Sequence, residues 1–402
     1  MRTARRLSMA AVALAAAACT WITITWITQV NPVDFLVYRY GAQLMLAGGD
    51  PYAGNLQGPM MPEGGMPFTY TPFAVLSLVP TVLFDTRTAY VLWSIASMAV
   101  VAWAVWRFAP ERWHGRPVVM TSLVVAAAST TMVTQHLSFG QINLPLMALV
   151  LWDLTRSDSR GAGRVPVGLF VGVAAAIKLT PGLFIAHLLV TRQWRRAGWA
   201  LVGFLSATAL AFALLPAVSA RFWTSVIWQL SSRVDFTGGG FASYGNNSVP
   251  GVLAAAGAAP VVGSAVAAVV ALGGLMLAAR AYRRGAAIEA VLIVGLVAPM
   301  VSPISWIHHW VYILPAAVVV LSRAGVRTRV VALAVGLPVL AAGPGLGEFL
   351  LSALWPFWPW AAALRECLLL TSIVLVIALA RAGSVRPMVR GAGSVPVPAA
   401  LH

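Results

Sequence analysis

The sequence reads RVPVGLFVGVAAAIKLTPGLFIAHLLVTRQWRR over residues 164–196, with arginines enclosing one apolar run. The run Val165–Thr191 is only 27 residues long, yet both of its ends lie beside arginines, which membrane proteins retain in the cytoplasm. Pro181 disfavours helical geometry at the residue before it and therefore breaks the run. We predict a hairpin of two short apolar helices, whose tip at residues 178–181 reaches toward the outer leaflet.

The composition of the chain is that of a polytopic membrane protein. Of its 402 residues 60% are hydrophobic and 9% are charged, and the mean hydropathy is +0.84. A soluble globular protein carries roughly a quarter charged residues, so the soluble class is excluded. The two cysteines, Cys19 and Cys367, both lie in apolar runs, which excludes a disulfide-stabilised scaffold. The predicted fold class is all-α, with transmembrane helices.

Basic residues outnumber acidic ones by 27 to 11, which gives a formal net charge of +16. Such an excess also occurs in nucleic-acid-binding proteins, but there it lies on a solvated domain. Here the arginines form short clusters between apolar runs, the pattern that fixes the orientation of membrane helices. Placing these clusters in the cytoplasm puts 21 of the 27 basic residues there, and nucleic acid is not an expected partner.

Twelve apolar segments are predicted to enter the bilayer. Leu7–Thr28 follows three arginines and suits a first span, since about 20 residues cross a hydrocarbon core of about 30 Å. A cleaved signal peptide with Cys19 as a lipoprotein site is the alternative, but the run is longer than a signal peptide's apolar region. The other segments are 88–107, 117–136, 142–155, 165–177, 180–191, 198–216, 257–279, 286–302, 306–322, 328–342 and 361–380.

We interpret the whole chain, 1–402, as one transmembrane domain. Its first extracytoplasmic loop is 29–71, its second large extracytoplasmic loop is 217–256, and its tail, 381–402, is cytoplasmic. No internal repeat is visible in the sequence, which disfavours the inverted-repeat transporter folds.

Two short segments, Thr71–Phe84 and Glu348–Trp360, suit the membrane plane better than a span. The second carries Trp355, Trp358 and a third tryptophan among prolines, a composition typical of the membrane interface. We therefore expect both segments to lie at the surface of the bilayer.

Ionisable side chains near the ends of apolar runs are the first candidates for a site, because burying them costs several kcal/mol unless they are paired or hydrated. Asp34 follows the first span in the string NPVDFLVYRYG, where it is either a helix N-cap or a general base at the membrane boundary. Lys178 is the only lysine and is flanked by apolar residues. It either extends to the interface as a snorkelling side chain or binds an anion.

A pair of histidines lies in the string SPISWIHHW, residues 302–310, at an outer turn between two predicted spans. Adjacent residues of a helix cannot face one partner, so His308 and His309 do not have metal-ligand spacing. One of them can donate a hydrogen bond to a phosphate, and the alternative is a solvated polar tip. The pattern does not decide which of the two faces a ligand.

Amides and aromatic residues also gather at the outer ends of the predicted spans. The strings SFGQINLPL and YGNNSVPG supply side chains that either cap helices or recognise sugar hydroxyls, and residues 50–52 and 70–72 are typical of turns. Aromatic rings there either stack on sugars or belong to the interfacial belt. The substrate-binding candidates are Tyr38, Asp50, Tyr52, Tyr70, Gln141, Asn143, Asn246, Asn247 and Trp306.

A carboxylate and a cation on the same membrane face suit glycosyl transfer. The carboxylate takes the proton from the attacking hydroxyl, and the cation stabilises the departing phosphate. A nucleotide-sugar donor requires a soluble nucleotide-binding domain, and none of the loops is long enough to hold one, so the donor is expected to be lipid-linked. No cluster of acids has metal-ligand spacing, so no cofactor is expected, and the sequence does not decide whether a divalent cation takes part.

The strings NPVDFLVYRYG, GGDPY, FTYTPF, FGQINLP, IKLTP, YGNNSVPG and SPISWIHH occur in this order along the chain. Together they resemble the polyprenol-phosphate-mannose-dependent mannosyltransferases of glycosyltransferase family 87, especially its actinobacterial members. The resemblance covers nearly the whole chain and implies a GT-C membrane fold. It places the family's essential aspartate at Asp34 and its histidine region at His308 and His309, whereas the phosphate-binding role of Lys178 is inferred from its position.

The resemblance also implies a reaction. It implies inverting transfer of mannose from β-linked polyprenyl phosphate to a phosphatidylinositol mannoside, with an α-1,2 bond formed on the periplasmic side of the inner membrane. The expected partners are therefore the polyprenyl-phosphate-mannose donor, the phosphatidylinositol mannoside acceptor and the lipid bilayer. Two alternatives stay open: the same donor with a lipoglycan acceptor, and a lipid or solute transporter in which Asp34 and Lys178 form an ion relay.

Overall fold

The computed structural model describes residues 32–156, 165–233, 245–353 and 359–381, together with positions 3 and 6. The predicted first span, most of the predicted cytoplasmic tail, the centre of the second large loop and two of the predicted interfacial tryptophans lie outside the described residues. Within the described ranges nearly all regular structure is helical.

The described residues form twenty α-helices, numbered along the chain. They are α1 (Val33–Leu46), α2 (Pro72–Ser77), α3 (Thr86–Phe108), α4 (Glu111–His114), α5 (Pro117–Ala128), α6 (Thr131–Phe139), α7 (Asn143–Thr155), α8 (Leu169–Ile177), α9 (Gly182–Val190), α10 (Trp194–Leu214), α11 (Pro216–Thr224), α12 (Leu230–Arg233), α13 (Val249–Ala255), α14 (Pro260–Arg283), α15 (Ala287–Val301), α16 (Ile313–Arg323), α17 (Val326–Val331), α18 (Leu337–Ala353), α19 (Pro359–Arg365) and α20 (Cys367–Arg381).

Short elements connect these helices. The strands β1 (Asn55–Leu56) and β2 (Met66–Pro67) pair antiparallel, with Leu56 opposite Met66. The remaining elements are 3₁₀ turns at Val79–Val82, Val226–Gln229 and Ile307–His309, and a π-helical turn at Ala332–Gly336.

Four described helices are long and apolar enough to cross a membrane: Thr86–Phe108, Trp194–Leu214, Pro260–Arg283 and Val326–Ser352. The bent pair α5 and α6 makes a fifth span if it is counted as one. Four shorter apolar helices, α7, α15, α16 and α20, accompany them. The all-α polytopic membrane class is therefore confirmed, whereas the count of twelve apolar segments stays a prediction.

The apolar run 117–136 is not one straight segment. Helices α5 and α6 meet at an angle of 62°, because Thr130 between them has an extended backbone. The Thr130 hydroxyl donates to the carbonyl of Ala127 at 2.7 Å, so it binds the end of α5 instead of allowing the helix to continue.

The sequence predicts that a span ends at residue 342 and that a separate interfacial segment begins at Glu348, and this prediction is wrong. One helical run continues from Val326 to Ser352, so Glu348 lies inside a helix and not at the start of an interfacial segment. Pro344 lies within α18 without ending it. Gly347 lets α18 lie directly against the backbone of α19, where a Cβ would clash, and this packing overrides the local Gly/Pro signal.

Helix α8 is tied to α7 at its N-terminus. The buried Asp153 carboxylate accepts hydrogen bonds at 3.0 to 3.1 Å from three backbone N–H groups, those of Gly168, Phe170 and Val171. It also pairs with Arg156 at 2.8 Å. The first N–H groups of a helix have no partner within the helix, so Asp153 acts as a cap supplied by a neighbouring helix.

Two glycines allow α8 to cross α10 in direct backbone contact. A Cβ at Gly172 would clash with the carbonyl oxygen of Ala200, and one at Gly203 would clash with that of Leu169. Small residues permit this close approach in membrane helix pairs. The first half of α8 is thereby packed against both α7 and α10.

The chain leaves helical geometry directly after α8. Lys178 is extended, with φ −140° and ψ 131°, and α9 begins only at Gly182. This confirms the break predicted at residues 178–181. The break places the single lysine at the junction of two helices, where its side chain can leave the helix packing.

Candidate active site

A cavity of about 690 Å³ lies between α1, α9, the end of α15 and the segment 302–309. Its polar wall contains six of the residues that the sequence predicted for the site, and its other walls are mainly apolar. The six are Asp34, Tyr70, Gln141, Lys178, Trp306 and His309.

Lys178 lies at the cavity beside three neighbours, Asn143, His309 and Tyr70. Its Nζ atom donates to Oδ1 of Asn143 at 2.8 Å and lies 3.2 Å from Nε2 of His309. The same atom lies 5.6 Å from the centre of the Tyr70 ring, within the range of a cation–π contact. The lysine therefore does not snorkel freely but has a defined position.

His309 presents one ring nitrogen to the cavity. The backbone N–H of Trp306 donates to Nδ1 at 3.2 Å, and the hydroxyl of Ser305 lies 3.4 Å from the same atom. Because Nδ1 accepts a hydrogen bond, the neutral ring carries its proton on Nε2, the atom that faces Lys178. Two donor groups thus converge, and one anionic oxygen can accept from both.

His308, in contrast to His309, does not face the cavity. Its side chain is buried away from the cavity, and neither ring nitrogen has a hydrogen-bond partner among the described residues. The ring packs edge-on against His309, with centroids 4.8 Å apart, and against Phe139, with centroids 5.6 Å apart. The structure brings only His309 of the predicted pair into the site.

Asp34 lies in the first turn of α1 and faces the cavity. It is not the N-cap, since that position is Pro32, so the capping alternative does not hold. Burial raises the pKa of the Asp34 carboxyl from 3.8 to about 6, although the hydrogen bond from Gln141 and the charge of Lys178 act in the opposite direction. The group is therefore mostly ionised at neutral pH yet basic enough to accept a proton.

Gln141 and Asn143 connect the aspartate to the lysine. Oε1 of Gln141 accepts from the Tyr38 hydroxyl at 3.3 Å and from Nδ2 of Asn143 at 3.2 Å, which leaves its amide nitrogen to donate to Asp34. Asn143 in turn donates to the carbonyl oxygen of His308 at 3.1 Å. With Oδ1 bonded to Lys178, both ends of the Asn143 amide have protein partners.

Two predicted tyrosines support the cavity instead of lining it. Tyr38 is fully buried and its hydroxyl lies 2.9 Å from that of Tyr70. Tyr52 is also fully buried and donates to the Tyr70 carbonyl at 2.7 Å. Burial and the nearby Asp34 charge raise the pKa of Tyr70, which therefore stays a neutral hydrogen-bonding group.

Asp50 lies outside the cavity and stabilises the loop. Its carboxylate accepts from the backbone N–H of Tyr52 at 2.8 Å and pairs with Arg221 at 2.6 Å. The turn predicted at residues 50–52 is therefore present, and the structure gives this carboxylate a structural partner on α11.

Asn246 holds the segment that carries His309 through its side-chain amide, and Asn247 holds it through its backbone. Oδ1 of Asn246 accepts from the backbone N–H of Ser305 at 2.9 Å, and the N–H of Asn247 donates to the Ser305 carbonyl at 2.9 Å. Neither asparagine lines the cavity. Trp306 does, and a Cβ at Gly245 would clash with its indole ring, so a glycine is needed at that contact.

Thr71 lines the cavity, although the sequence predicted it only as part of a turn at the start of the interfacial segment Thr71–Phe84. A threonine before a proline is a helix N-cap signal, and Thr71 does cap α2. Its second contact, with α8, joins residues 105 positions apart and has no signal in the sequence.

The described residues contain no group of three or more His, Cys, Asp or Glu side chains placed to hold a metal ion. The site consists of a carboxylate, two convergent cationic or neutral donors and an aromatic wall. This set can accept a proton on one side and bind an anion on the other.

Residues 68–303 of the chain match the family model of glycosyltransferase family 87. The chain is 33% identical over 329 residues to a polyprenol-phosphate-mannose-dependent α-(1-2)-phosphatidylinositol mannoside mannosyltransferase of Mycobacterium tuberculosis. The matched region covers 75% of this chain and 73% of the relative. No solved structure matches the chain significantly.

Two further relatives carry related names. The polyprenol-phosphate-mannose-dependent α-(1-2)-phosphatidylinositol pentamannoside mannosyltransferase of M. tuberculosis is 30% identical over 297 residues, 71% of this chain and 65% of the relative. The phosphatidylinositol mannoside mannosyltransferase of Mycolicibacterium smegmatis is 30% identical over 319 residues, 71% of this chain and 69% of the relative. The family match spans more than half of the chain and includes the lysine and most of the cavity. This chain belongs to glycosyltransferase family 87 and is a glycosyltransferase.

Proposed function

We propose that the protein transfers mannose from polyprenyl-phosphate-mannose to a phosphatidylinositol mannoside and forms an α-1,2 linkage. The observation that carries this proposal is the convergence of Lys178 Nζ and His309 Nε2, 3.2 Å apart, on a cavity whose wall also contains Asp34. The names of the relatives supply the donor, the acceptor and the linkage.

Lys178 and His309 are suited to the leaving group. The bond that breaks joins C1 of mannose to the phosphate oxygen, and the phosphate charge grows from one toward two as this bond opens. A cation and a directed N–H donor at that oxygen interact more strongly with the transition state than with the bound donor, which lowers the barrier. The role of Lys178 in this step is charge, and the role of His309 is a directed hydrogen bond.

Asp34 is suited to the acceptor. As the acceptor hydroxyl oxygen forms its bond to C1, its proton passes to the Asp34 carboxylate. Attack on the face opposite the phosphate inverts a β-linked donor into an α-linked product. Bonds and charges balance in this step, since the phosphate leaves with the bonding electron pair and the carboxylate retains the proton.

The apolar part of the cavity supports lipid-linked substrates. Leu179, Leu183, Ile227 and Leu230 are among the residues that line the cavity. A cavity of this kind suits a ligand with a small polar head and an apolar tail. The corresponding architecture is one GT-C domain in the inner membrane, with the site facing the periplasm. Much of the cavity wall comes from segments that the sequence predicts on the outer side, and this supports the orientation.

Purified protein in detergent tests the proposal directly. The protein is supplied with synthetic polyprenyl-phosphate-mannose and, in separate reactions, with either phosphatidylinositol mannosides or a lipoglycan as acceptor. The masses of the products are measured by mass spectrometry. We expect one added hexose on the phosphatidylinositol mannoside, and at least about a hundredfold less of this product when Asp34→Asn protein is used. If only the lipoglycan gains a hexose, the lipoglycan and not the phosphatidylinositol mannoside is the acceptor. Solute flux in liposomes without donor would favour a transporter.

A further inference from the structure

We propose that Thr71 is a positioning residue that fixes Lys178 opposite the donor phosphate, because its single hydroxyl joins the ends of two helices. The inference rests on the proposed function, in which Lys178 binds that phosphate. Thr71 would act through Lys178 and not by touching the sugar.

Two of the backbone carbonyls at the end of α8, those of Ala176 and Ile177, lack their helical partners. In a continuing helix the carbonyl of Ile177 would accept from the N–H of residue 181, but residue 181 is proline and has none. The carbonyl of Ala176 would accept from residue 180, but the extended backbone of Lys178 has already ended the helix. These carbonyls need a donor from elsewhere in the protein.

Thr71 supplies that donor. Its hydroxyl donates to the carbonyl of Ala176 and lies 3.3 Å from that of Ile177. The same oxygen accepts from the backbone N–H of Ala74 at 3.2 Å, which caps α2. The residue is 2% exposed, so both bonds are shielded from water.

The two bonds join the parts of the protein that hold Lys178. Thr71 directly follows Tyr70, whose ring lies 5.6 Å from Lys178 Nζ, and Ile177 directly precedes Lys178. The backbone on both sides of the lysine–tyrosine contact is therefore set by one hydroxyl. Without it, Lys178 keeps its charge but loses the fixed backbone from which it reaches Asn143 and His309.

The alternative is that the Thr71 hydroxyl binds a sugar hydroxyl, since Thr71 also lines the cavity. The hydroxyl has one hydrogen, and that hydrogen is already donated to a backbone carbonyl. The structure therefore favours positioning over recognition, and the two roles predict different responses to removal of Lys178.

The test compares Thr71→Val, which has the same shape without the hydroxyl, with Thr71→Ser, which keeps it. Thr81→Val is the matched control, because Thr81 is also buried and donates to a local carbonyl, that of Leu78, at 2.6 Å. With polyprenyl-phosphate-mannose as the varied substrate, we expect kcat/KM to fall about threefold to tenfold for Thr71→Val. Thr71→Ser and Thr81→Val should stay within about twofold of the unchanged protein.

A double-mutant cycle with Lys178→Met decides the mechanism. If Thr71 acts through Lys178, Thr71→Val should cost less than about twofold further in protein that already carries Lys178→Met. A full additional loss in that background, or equal rates for the Thr71→Val and Thr71→Ser proteins, would overturn the inference. If Thr71→Val does not fold, the pair Thr71→Ala and Thr71→Ser gives the same comparison.

The proposed function and this inference fail in different ways. A near-normal rate for Lys178→Met would remove Lys178 from the phosphate site and overturn the proposed function with the inference. A slow Lys178→Met protein with an additive Thr71 effect would overturn the inference alone.

Discussion

The ammonium nitrogen of Lys178 lies 2.8 Å from Oδ1 of Asn143, the first residue of α7. Asn143 also donates to Gln141, which hydrogen-bonds Asp34. The base proposed for the acceptor and the cation proposed for the donor therefore belong to one hydrogen-bonded series. Its members fix each other's orientation, since each amide has a donor end and an acceptor end.

Asn143→Leu should lower the rate of mannose transfer about tenfold to a hundredfold. The substitution removes the acceptor of a hydrogen bond from a charged group, which contributes about 1.5–3 kcal/mol. Steady-state kinetics with the lipid donor measure the effect, and melting temperature reports the fold. An unchanged rate in well-folded protein would show that Lys178 does not need this contact.

Asp34→Asn should lower the rate about a hundredfold to ten-thousandfold, because it removes the proton acceptor at almost constant volume. Donor binding, measured by thermal shift with polyprenyl-phosphate-mannose, should persist. The melting temperature at neutral pH should stay equal or rise, since burial of the ionised carboxylate is unfavourable there. Activity within a few-fold of the unchanged protein would exclude Asp34 as the base.

The pH dependence should follow the same carboxyl group. Burial favours its protonated form and raises its pKa to about 6, so below that pH the group increasingly holds a proton and cannot accept another. We expect kcat/KM to be about half of its maximum at pH 6, to approach a tenfold fall per pH unit at lower pH and to level off near neutrality. The residual rate of Asp34→Asn protein should lack this acidic limb, and a limb shared by both proteins would assign it to another group.

The two histidines should differ in their effects. His309→Ala removes the N–H donor beside Lys178 and should reduce turnover at least about tenfold, equivalent to about 1.4 kcal/mol. His308→Leu removes a ring whose nitrogens have no hydrogen-bond partner in the described part of the chain, and it should keep the rate within a few-fold. Reversed results would place His308 at the phosphate.

Cysteine labelling should test the orientation in the membrane. The test uses protein with Cys19 and Cys367 replaced by alanine. Glu63→Cys lies in the first loop, Glu111→Cys lies among the arginines of residues 107–116, and both positions are exposed. An impermeant thiol reagent added to intact cells should label the first and not the second. The reverse pattern would place the site in the cytoplasm, where nucleotide-sugar donors are available.

Local chemistry was sufficient to predict the break at residues 178–181 and to select Lys178 as a candidate, which the structure places at the cavity. A proline ends a helix through its own geometry, and a lone lysine among apolar residues is too costly to retain without a role. Both arguments use only a few neighbouring residues, so they do not depend on which distant segments meet in the folded protein.

Contacts between distant segments were not predictable in this way. The choice between His308 and His309 depends on the orientation of one 3₁₀ turn, which Asn246 fixes from about 60 residues away. Tyr38, Tyr52 and the other buried candidates have the residue types of a sugar site, but their hydroxyls are used by neighbouring protein groups. A single sequence shows which groups are available and not which partners they meet.

Asp153 and Asn143 belong to the same helix and lie about 15 Å apart along its axis. One secures the start of α8 and the other secures Lys178 just beyond its end. A genetic screen for loss of activity should therefore recover substitutions at Asp153 and Arg156 as readily as substitutions beside the cavity. Suppressors of such alleles are expected at the crossing of α8 and α10, where compensating shifts of the same helix can be made.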